Sequence, residues 1–187
     1  DEARARGVET AGAEIVAPKS VHPAFDKAAH YLGLRVVRVP VAADFRADVA
    51  AMAAAMTDRT LMLVGSAPCF PYGMIDPIEA LSDLALERNV WLHVDACVGG
   101  YFAPFARMNG VPVPPFDFEL PGVRSMSADL HKYGYAAKGA STVFHRSEAQ
   151  WEHQVFRFDA WPSGGMVTPT AAGTRPGGAI ASAWAVM

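Results

Sequence analysis

The sequence has few cysteines, no long apolar run and no excess of one charge. Its two cysteines, Cys69 and Cys97, lie in apolar stretches, so no disulfide framework is implied and a reducing, cytoplasmic compartment is expected. No apolar run approaches the roughly 20 residues needed to span a bilayer. The formal charge of −3 is spread without a basic block, which makes nucleic acid and anionic membranes poor partner candidates.

Both ends of the chain lack the usual terminal signals. The chain starts at Asp1, without an initiator Met or the apolar core of a signal peptide. Residues 179–187 have the pattern of a helix that has no stop signal. We therefore expect these 187 residues to be an internal piece of a longer soluble protein, with any membrane anchor outside it.

The composition and the hydrophobic pattern predict one α/β core. Hydrophobic residues make up 51% of the chain and charged residues 19%, which is typical of a globular domain. Predicted strands lie at 14–17, 34–41, 61–64, 91–94, 123–127 and 141–145. Predicted helices lie at 22–32, 45–56 (capped by Asp44) and 76–88. This alternation predicts a doubly wound, mostly parallel sheet, in which the fifth and sixth strands can pair antiparallel.

The carboxy-terminal part differs in composition from this core. Residues 161–165, Trp-Pro-Ser-Gly-Gly, begin a long stretch rich in glycine and proline. We therefore divide the single domain 1–187 into a sheet core over about 1–155 and a Gly/Pro-rich loop over about 156–187 that leads into the start of a helix.

Two polar motifs follow predicted strands at the edge where ligands bind in such sheets. Asp95 ends the apolar run 91–95, and a buried carboxylate there requires a cationic partner. Lys132 lies in the turn 127–134, Ser-Ala-Asp-Leu-His-Lys-Tyr-Gly. A pyridoxal-phosphate enzyme needs a lysine that forms a Schiff base with the cofactor aldehyde and an aspartate that keeps the pyridine nitrogen protonated. The two motifs predict these roles for Lys132 and Asp95.

Five blocks of the chain resemble the group II pyridoxal-phosphate-dependent decarboxylase family, in its sphingosine-1-phosphate lyase-like branch. The blocks are 17–28, 65–68, 93–100, 127–134 and 173–177. The resemblance implies an incomplete fold-type I large domain, pyridoxal 5'-phosphate as the cofactor and a homodimer. It also implies that the glycine-rich loop gripping the cofactor phosphate and the small carboxy-terminal domain lie outside these residues.

The resemblance further implies roles for individual residues. His22 resembles the residue that stacks on the cofactor ring. The other implied positions are Ala96 and Cys97 beside Asp95, Ser127 and His131 near the phosphate or the Schiff base, Lys138 as a second lysine close to the site, and Gly173, Thr174 and Arg175 on a loop offered across the dimer interface. Met166 stands where the family often has an aromatic residue, so this contact departs from the family pattern.

The implied activity is cleavage of a carbon–carbon bond in an amino-acid-like or amino-alcohol substrate. If the bond leads to a carboxylate, the enzyme is a decarboxylase. If it leads to a carbinol carbon, the enzyme is an aldehyde-lyase acting on a phosphorylated long-chain base. Aminotransfer on the same fold is an alternative, and a structural or dimerisation module without turnover is another.

A zinc site is the main alternative chemistry. His93, Asp95 and Cys97 alternate along one strand and therefore share a face, and Asp129 and His131 follow the next strand. No His-Glu-x-x-His or paired-cysteine spacing supports such a site, and a zinc site leaves the His-Lys turn without a role. We therefore predict no metal. The sequence also lacks a P-loop, a Gly-x-Ser-x-Gly elbow and a dinucleotide fingerprint.

Overall fold

The computed structural model describes residues 2–187. The strands are β1 Glu14–Pro18, β2 Arg35–Val39, β3 Thr60–Ser66, β4 Trp91–Asp95, β5 Val123–Ala128, β6 Thr142–His145, β7 Phe156–Phe158 and β8 Met166–Thr168. The helices are α1 Glu2–Ala5, α2 Ala24–Leu32, α3 Val49–Ala55, α4 Ile78–Arg88, α5 Ala103–Met108, α6 Glu148–Glu152 and α7 Gly177–Val186.

Six strands form one sheet in the order β2-β1-β3-β4-β5-β6. All neighbouring pairs from β2 to β5 are parallel, and β6 pairs antiparallel with β5. The predicted α/β class and the antiparallel sixth strand are thus confirmed. The short strands β7 and β8 form a separate hairpin.

Helices cover the sheet on both faces, as a doubly wound fold requires. Because successive side chains of a strand point to opposite faces, the apolar strands supply two cores. The larger core joins β1 and β3–β5 to α3, α4 and α5 through Val16, Leu63, Leu92, Val123, Met52, Leu81 and Ala103. The smaller core lies under α2 and contains Ile15, Ala17, Val21 and Val64, with Phe25 packed against it.

The prediction of a helix over 45–56 capped by Asp44 is wrong at its start. The helix begins at Val49, and the side chain of Asp48 caps it by accepting a hydrogen bond from the Ala51 N–H at 2.9 Å. Phe45 has a positive φ of 65°, which ends any helix there. The helix does not start earlier because the Ala47 N–H donates a hydrogen bond to the buried carboxylate of Asp76, at 2.7 Å, a contact from a distant part of the chain.

Other element boundaries are close to the predicted ones. Helix α2 ends at Gly33, whose φ of 67° provides the left-handed cap expected of a glycine. Helices α1, α5 and α6 and the β7–β8 hairpin were not predicted from the sequence; the hairpin lies inside the Gly/Pro-rich stretch. Across residues 2–187, none of the helices combines the length and the apolar character needed to cross a membrane.

Candidate active site

A cavity of about 500 Å³ opens at the carboxyl ends of β3, β4 and β5. It lies where doubly wound sheets bind their ligands. Its lining residues are His22, Ala24, Phe25, Ser66, Pro68, Phe70, His93, Asp95, Cys97, Val98, Ser127, Asp129, Lys132 and Ser141. The structure therefore brings both Lys132 and Asp95 to one cavity.

A tight turn after β5 presents Lys132 to the cavity. The Lys132 N–H donates to the Asp129 carbonyl at 3.2 Å, and the Ala136 N–H donates to the Leu130 carbonyl at 2.9 Å. The turn is too tight for a side chain at Gly134, because a Cβ there would lie 2.7 Å from the Leu130 carbonyl oxygen. The glycine of the His-Lys-Tyr-Gly sequence is thus required by the packing of the turn.

The ammonium group of Lys132 forms an ion pair with Asp129, with 2.9 Å between Nζ and Oδ2. Burial by itself lowers the pKa of Lys132, but the hydrogen bond and the charge of Asp129, aided by the charge of Asp95, outweigh it and raise the pKa. Burial also raises the pKa of Asp129, and this is overcome by hydrogen bonds from Ser141 and Lys132, so that its pKa is lowered. Both groups are therefore charged at neutral pH.

The carboxylate of Asp95 is only 9% exposed, and its two oxygens have different surroundings. Oδ1 accepts a hydrogen bond from the Cys97 N–H at 3.2 Å and a longer one from the Ser127 hydroxyl at 3.4 Å. Within residues 2–187, no side chain or N–H group donates to Oδ2. A largely buried carboxylate that lines a cavity, and has one oxygen that accepts no hydrogen bond from the described residues, is suited to a ligand that carries an N–H⁺ group.

Two further ionisable groups line the cavity in uncharged form. Burial, opposed by the charge of Asp95, lowers the pKa of His93 to about 4. Burial and the charge of Asp95 raise the pKa of the Cys97 thiol to about 12. Since thiolates and not thiols are nucleophiles, Cys97 is unreactive at neutral pH.

The remaining predicted site residues divide into two groups. His22 and Ser127 line the cavity; His22 is exposed, and its Nδ1 accepts a hydrogen bond from the Ala24 N–H at 3.1 Å. The structure does not bring the others into this cavity: Ala96 is buried in the larger core, His131 binds the Ala140 carbonyl, Thr174 and Lys138 are exposed, and Arg175 lines a neighbouring cavity with Ser127 and Ser141. Met166 is also exposed, on β8.

Sequence reasoning gave no role in the cofactor site to several residues that the structure brings to the cavity. Asp129 is the ion-pair partner of Lys132, and its spacing of three residues within one turn was an available signal. Ser66 lines the cavity, and its hydroxyl is buried without a hydrogen-bond partner among the described residues. Ser141 donates to Asp129 from the start of the returning strand; no local pattern reveals this contact, because it depends on how β6 pairs with β5.

These groups fit pyridoxal phosphate. An amine that can bond to an aldehyde, a carboxylate oxygen without a donor and an unpartnered buried hydroxyl all line the same cavity. By contrast, among residues 2–187 no group of three or more His, Cys, Asp or Glu side chains is arranged to hold a metal ion. The fold and the cavity thus define a protein of the pyridoxal-phosphate-dependent type.

Comparison with known proteins identifies the family. Residues 5–161 match the pyridoxal-dependent decarboxylase conserved domain, and the chain belongs to that family. Pyridoxal phosphate is therefore its cofactor. The chain is 51% identical to sphingosine-1-phosphate lyase of Arabidopsis thaliana over 174 residues, which cover 93% of this chain and 32% of that protein. It is 37% identical to a probable L-tyrosine/L-aspartate decarboxylase of Methanothermobacter thermautotrophicus, over 93% of this chain and 47% of that protein.

A solved structure agrees with this assignment. The sphingosine-1-phosphate lyase of Burkholderia pseudomallei superposes with a TM-score of 0.95 at 46% identity, covering 100% of this chain and 42% of that chain. The chain spans about a third of the length of the sphingosine-1-phosphate lyases of Arabidopsis thaliana and Rattus norvegicus.

Proposed function

We propose that the protein carrying this chain is a pyridoxal-phosphate-dependent carbon–carbon lyase. One observation carries the proposal: the Lys132 amine and the Asp95 carboxylate face the same cavity at the carboxyl edge of the sheet. When bound, pyridoxal phosphate supplies an aldehyde that bonds to amines and a protonated ring that withdraws electrons from a bond breaking beside it.

In this proposal four residues of the cavity would hold the cofactor. Lys132 Nζ would be the amine that bonds to the aldehyde. Asp95 Oδ2 would accept a hydrogen bond from the ring nitrogen and, through its negative charge, favour the protonated form of that nitrogen. His22 would contact the ring, and Ser66 would offer its unpartnered hydroxyl.

Asp129 controls the protonation of Lys132. The ion pair holds a proton on Nζ and keeps the amine at the cavity wall. Lys132 would have to lose this proton to react with an aldehyde, and Asp129 Oδ2, 2.9 Å away, would accept it. As the free ammonium, Lys132 would be placed to donate a proton to the cleaved product.

For the substrate, we propose a phosphorylated amino alcohol that carries an apolar chain, which makes the reaction an aldehyde release. The relative at 51% identity is named for sphingosine 1-phosphate. A second cavity of about 580 Å³ adjoins the site at Lys132 and is lined largely by apolar and aromatic side chains, including Phe70, Val98, Tyr133 and Tyr135. Such a lining suits an aliphatic chain. Amino-acid decarboxylation is the second candidate, because a named decarboxylase is 37% identical over nearly the same span.

A direct assay separates these two reactions. Full-length protein with bound cofactor is incubated with phosphorylated amino alcohols of increasing chain length and, separately, with a set of amino acids. We expect aldehyde from the long-chain phosphorylated substrates and no carbon dioxide from the amino acids. Carbon dioxide without aldehyde would favour the decarboxylase, and an oxo acid from an amino acid would indicate aminotransfer.

Chemical trapping tests the role of Lys132. Borohydride reduction of the loaded full-length protein, followed by peptide mapping, should give a pyridoxyl adduct on Lys132. Lys132→Ala should give none, whereas Lys138→Ala, which changes an exposed lysine six positions further along the same segment, should retain it. An adduct on Lys138 would refute the assignment.

A further inference from the structure

A chain of hydrogen bonds crosses strands β4 and β5 and ends at Asp95. The Trp91 indole N–H donates to the Ser125 hydroxyl at 2.7 Å, and the same oxygen lies 2.7 Å from His93 Nδ1. His93 Nε2 lies 3.2 Å from the Ser127 hydroxyl, which donates to Asp95 Oδ1 at 3.4 Å. The residues belong to one face of the sheet, because they alternate along paired strands.

The hydrogen bonds of this chain all run in one direction, from Trp91 toward Asp95. An indole N–H only donates, so Ser125 accepts from Trp91 and keeps its own proton to give. Among the described residues, His93 Nδ1 is the one acceptor within reach of that proton. Nδ1 is then unprotonated, and the neutral ring carries its hydrogen on Nε2, which donates to Ser127.

The Ser127 hydroxyl makes all of its hydrogen bonds in this arrangement. Its oxygen accepts from His93 Nε2 and from the Cys97 thiol at 3.1 Å, and its single proton goes to Asp95. With the Cys97 N–H also on Oδ1, two donors hold that oxygen and turn Oδ2 toward the cavity. A carboxylate held on one side in this way loses its rotational freedom before the ligand arrives.

We propose that His93, as the neutral ring with hydrogen on Nε2, is a positioning residue that acts through Ser127 to orient Asp95 toward the cofactor ring nitrogen. Ser125 contributes to this positioning, because its hydrogen bond to Nδ1 selects the tautomer of His93, although Ser125 does not line the cavity. The inference rests on the proposed role of Asp95 and adds the residues that orient its carboxylate.

The first test uses the cofactor-free, full-length protein with ¹⁵N-labelled histidine. Nitrogen NMR should show the His93 hydrogen on Nε2 at pH 7. Ser125→Ala removes the donor to Nδ1 and should move part of the population to the other tautomer. Finding the wild-type hydrogen on Nδ1 would overturn the inference, whatever the protein is found to catalyse.

The second test uses the holoenzyme and three variants. Ser125→Ala and His93→Phe should each lower kcat by roughly ten- to hundredfold with little change in KM, because misaligned groups cost turnover more than binding. His93→Gln keeps an amide N–H near the Nε2 position and should recover most of the loss. With ¹⁵N-labelled cofactor, the ring nitrogen should be protonated in wild type and His93→Gln, and less so in His93→Phe.

His30→Gln is the matched control, because it alters an exposed histidine of α2 that takes no part in the hydrogen-bond chain. It should match wild type in kcat, in KM and in the ring-nitrogen signal. Equal kcat and equal ring-nitrogen signals in His93→Phe and His93→Gln would refute the positioning role. Failure of the wild-type protein to bind the cofactor would instead refute the proposed function, and the NMR measurement on the cofactor-free protein would still test the tautomer of His93.

Discussion

Asp95 and Lys132 carry the proposed chemistry at the level of single residues, and Asp95→Asn separates their roles. The substitution keeps the shape of the side chain but removes the charge that holds the ring nitrogen protonated. Because a charge-assisted hydrogen bond in a water-poor site contributes several kcal/mol, we expect kcat to fall by about 10²-fold or more. The cofactor should still form its bond to Lys132, as judged by borohydride trapping. Near-normal turnover would contradict the role of Asp95.

Asp129→Asn tests the ion pair with Lys132. Burial by itself lowers the pKa of Lys132, and Asp129 is the main group that reverses this effect. Without the carboxylate we expect the pKa of Lys132 to fall, so that more free amine is present at neutral pH. The reaction of the cofactor-free protein with pyridoxal, followed from pH 6 to 11, should reach half its maximal rate at lower pH than in wild type.

The control for this measurement is Asp83→Asn, which removes an exposed carboxylate on α4. Its rate profile should coincide with that of wild type. A profile of Asp129→Asn that moves to higher pH, or does not move, would show that Asp129 does not hold the proton on Lys132.

At the level of elements, Asp76 joins three segments of the fold. Its buried carboxylate accepts hydrogen bonds from the Ser66 N–H at the end of β3 and from the Ala47 N–H before α3, both at 2.7 Å. Asp76→Ala leaves these two buried donors without a partner. Since each unsatisfied buried group costs about 1–3 kcal/mol, we expect the free energy of unfolding to fall by about 2–6 kcal/mol in urea titration. Glu79→Gln on the exposed side of α4 should change it by less than about 0.5 kcal/mol.

The elements differ in how well the sequence predicts them, and the Asp76 contact shows why. The strands were predicted because their apolar runs are continuous, as buried parallel strands require. The helix over 45–56 was extended too far because its alanines favour a helix locally, whereas Asp76, nearly thirty residues away, binds the Ala47 N–H. Local propensity gives no sign of such a contact.

The candidate site was partly predictable for a similar reason. Lys132 and Asp95 stand in recognisable motifs at strand ends. The chain of hydrogen bonds that leads from Trp91 to Asp95 depends instead on the register that pairs His93 with Ser125. Register between distant strands follows from the whole packed sheet, so Ser125 and the role of His93 were outside the reach of sequence patterns.

At the level of the whole molecule, apolar side chains are exposed on the carboxy-terminal segment. Trp184 of α7 is 86% exposed and Ile180 is 65% exposed. We propose that this face packs against a second copy in a homodimer. Burying a tryptophan on each side contributes several kcal/mol. Trp184→Glu should therefore weaken self-association of the full-length protein at least tenfold in sedimentation, whereas Leu86→Glu on α4 should not. Unchanged association in Trp184→Glu would exclude this face.

The antiparallel return of β6 has a consequence for the reactivity of Lys132. Because β5 and β6 are paired at Ser127 with Val143 and at Ala128 with Thr142, both ends of segment 129–141 are tied to the same edge of the sheet. A parallel strand would have required a long crossover to the opposite edge. The amine is therefore confined to a small volume above the cavity, and its effective concentration toward any aldehyde bound there greatly exceeds that of an amine on a free loop.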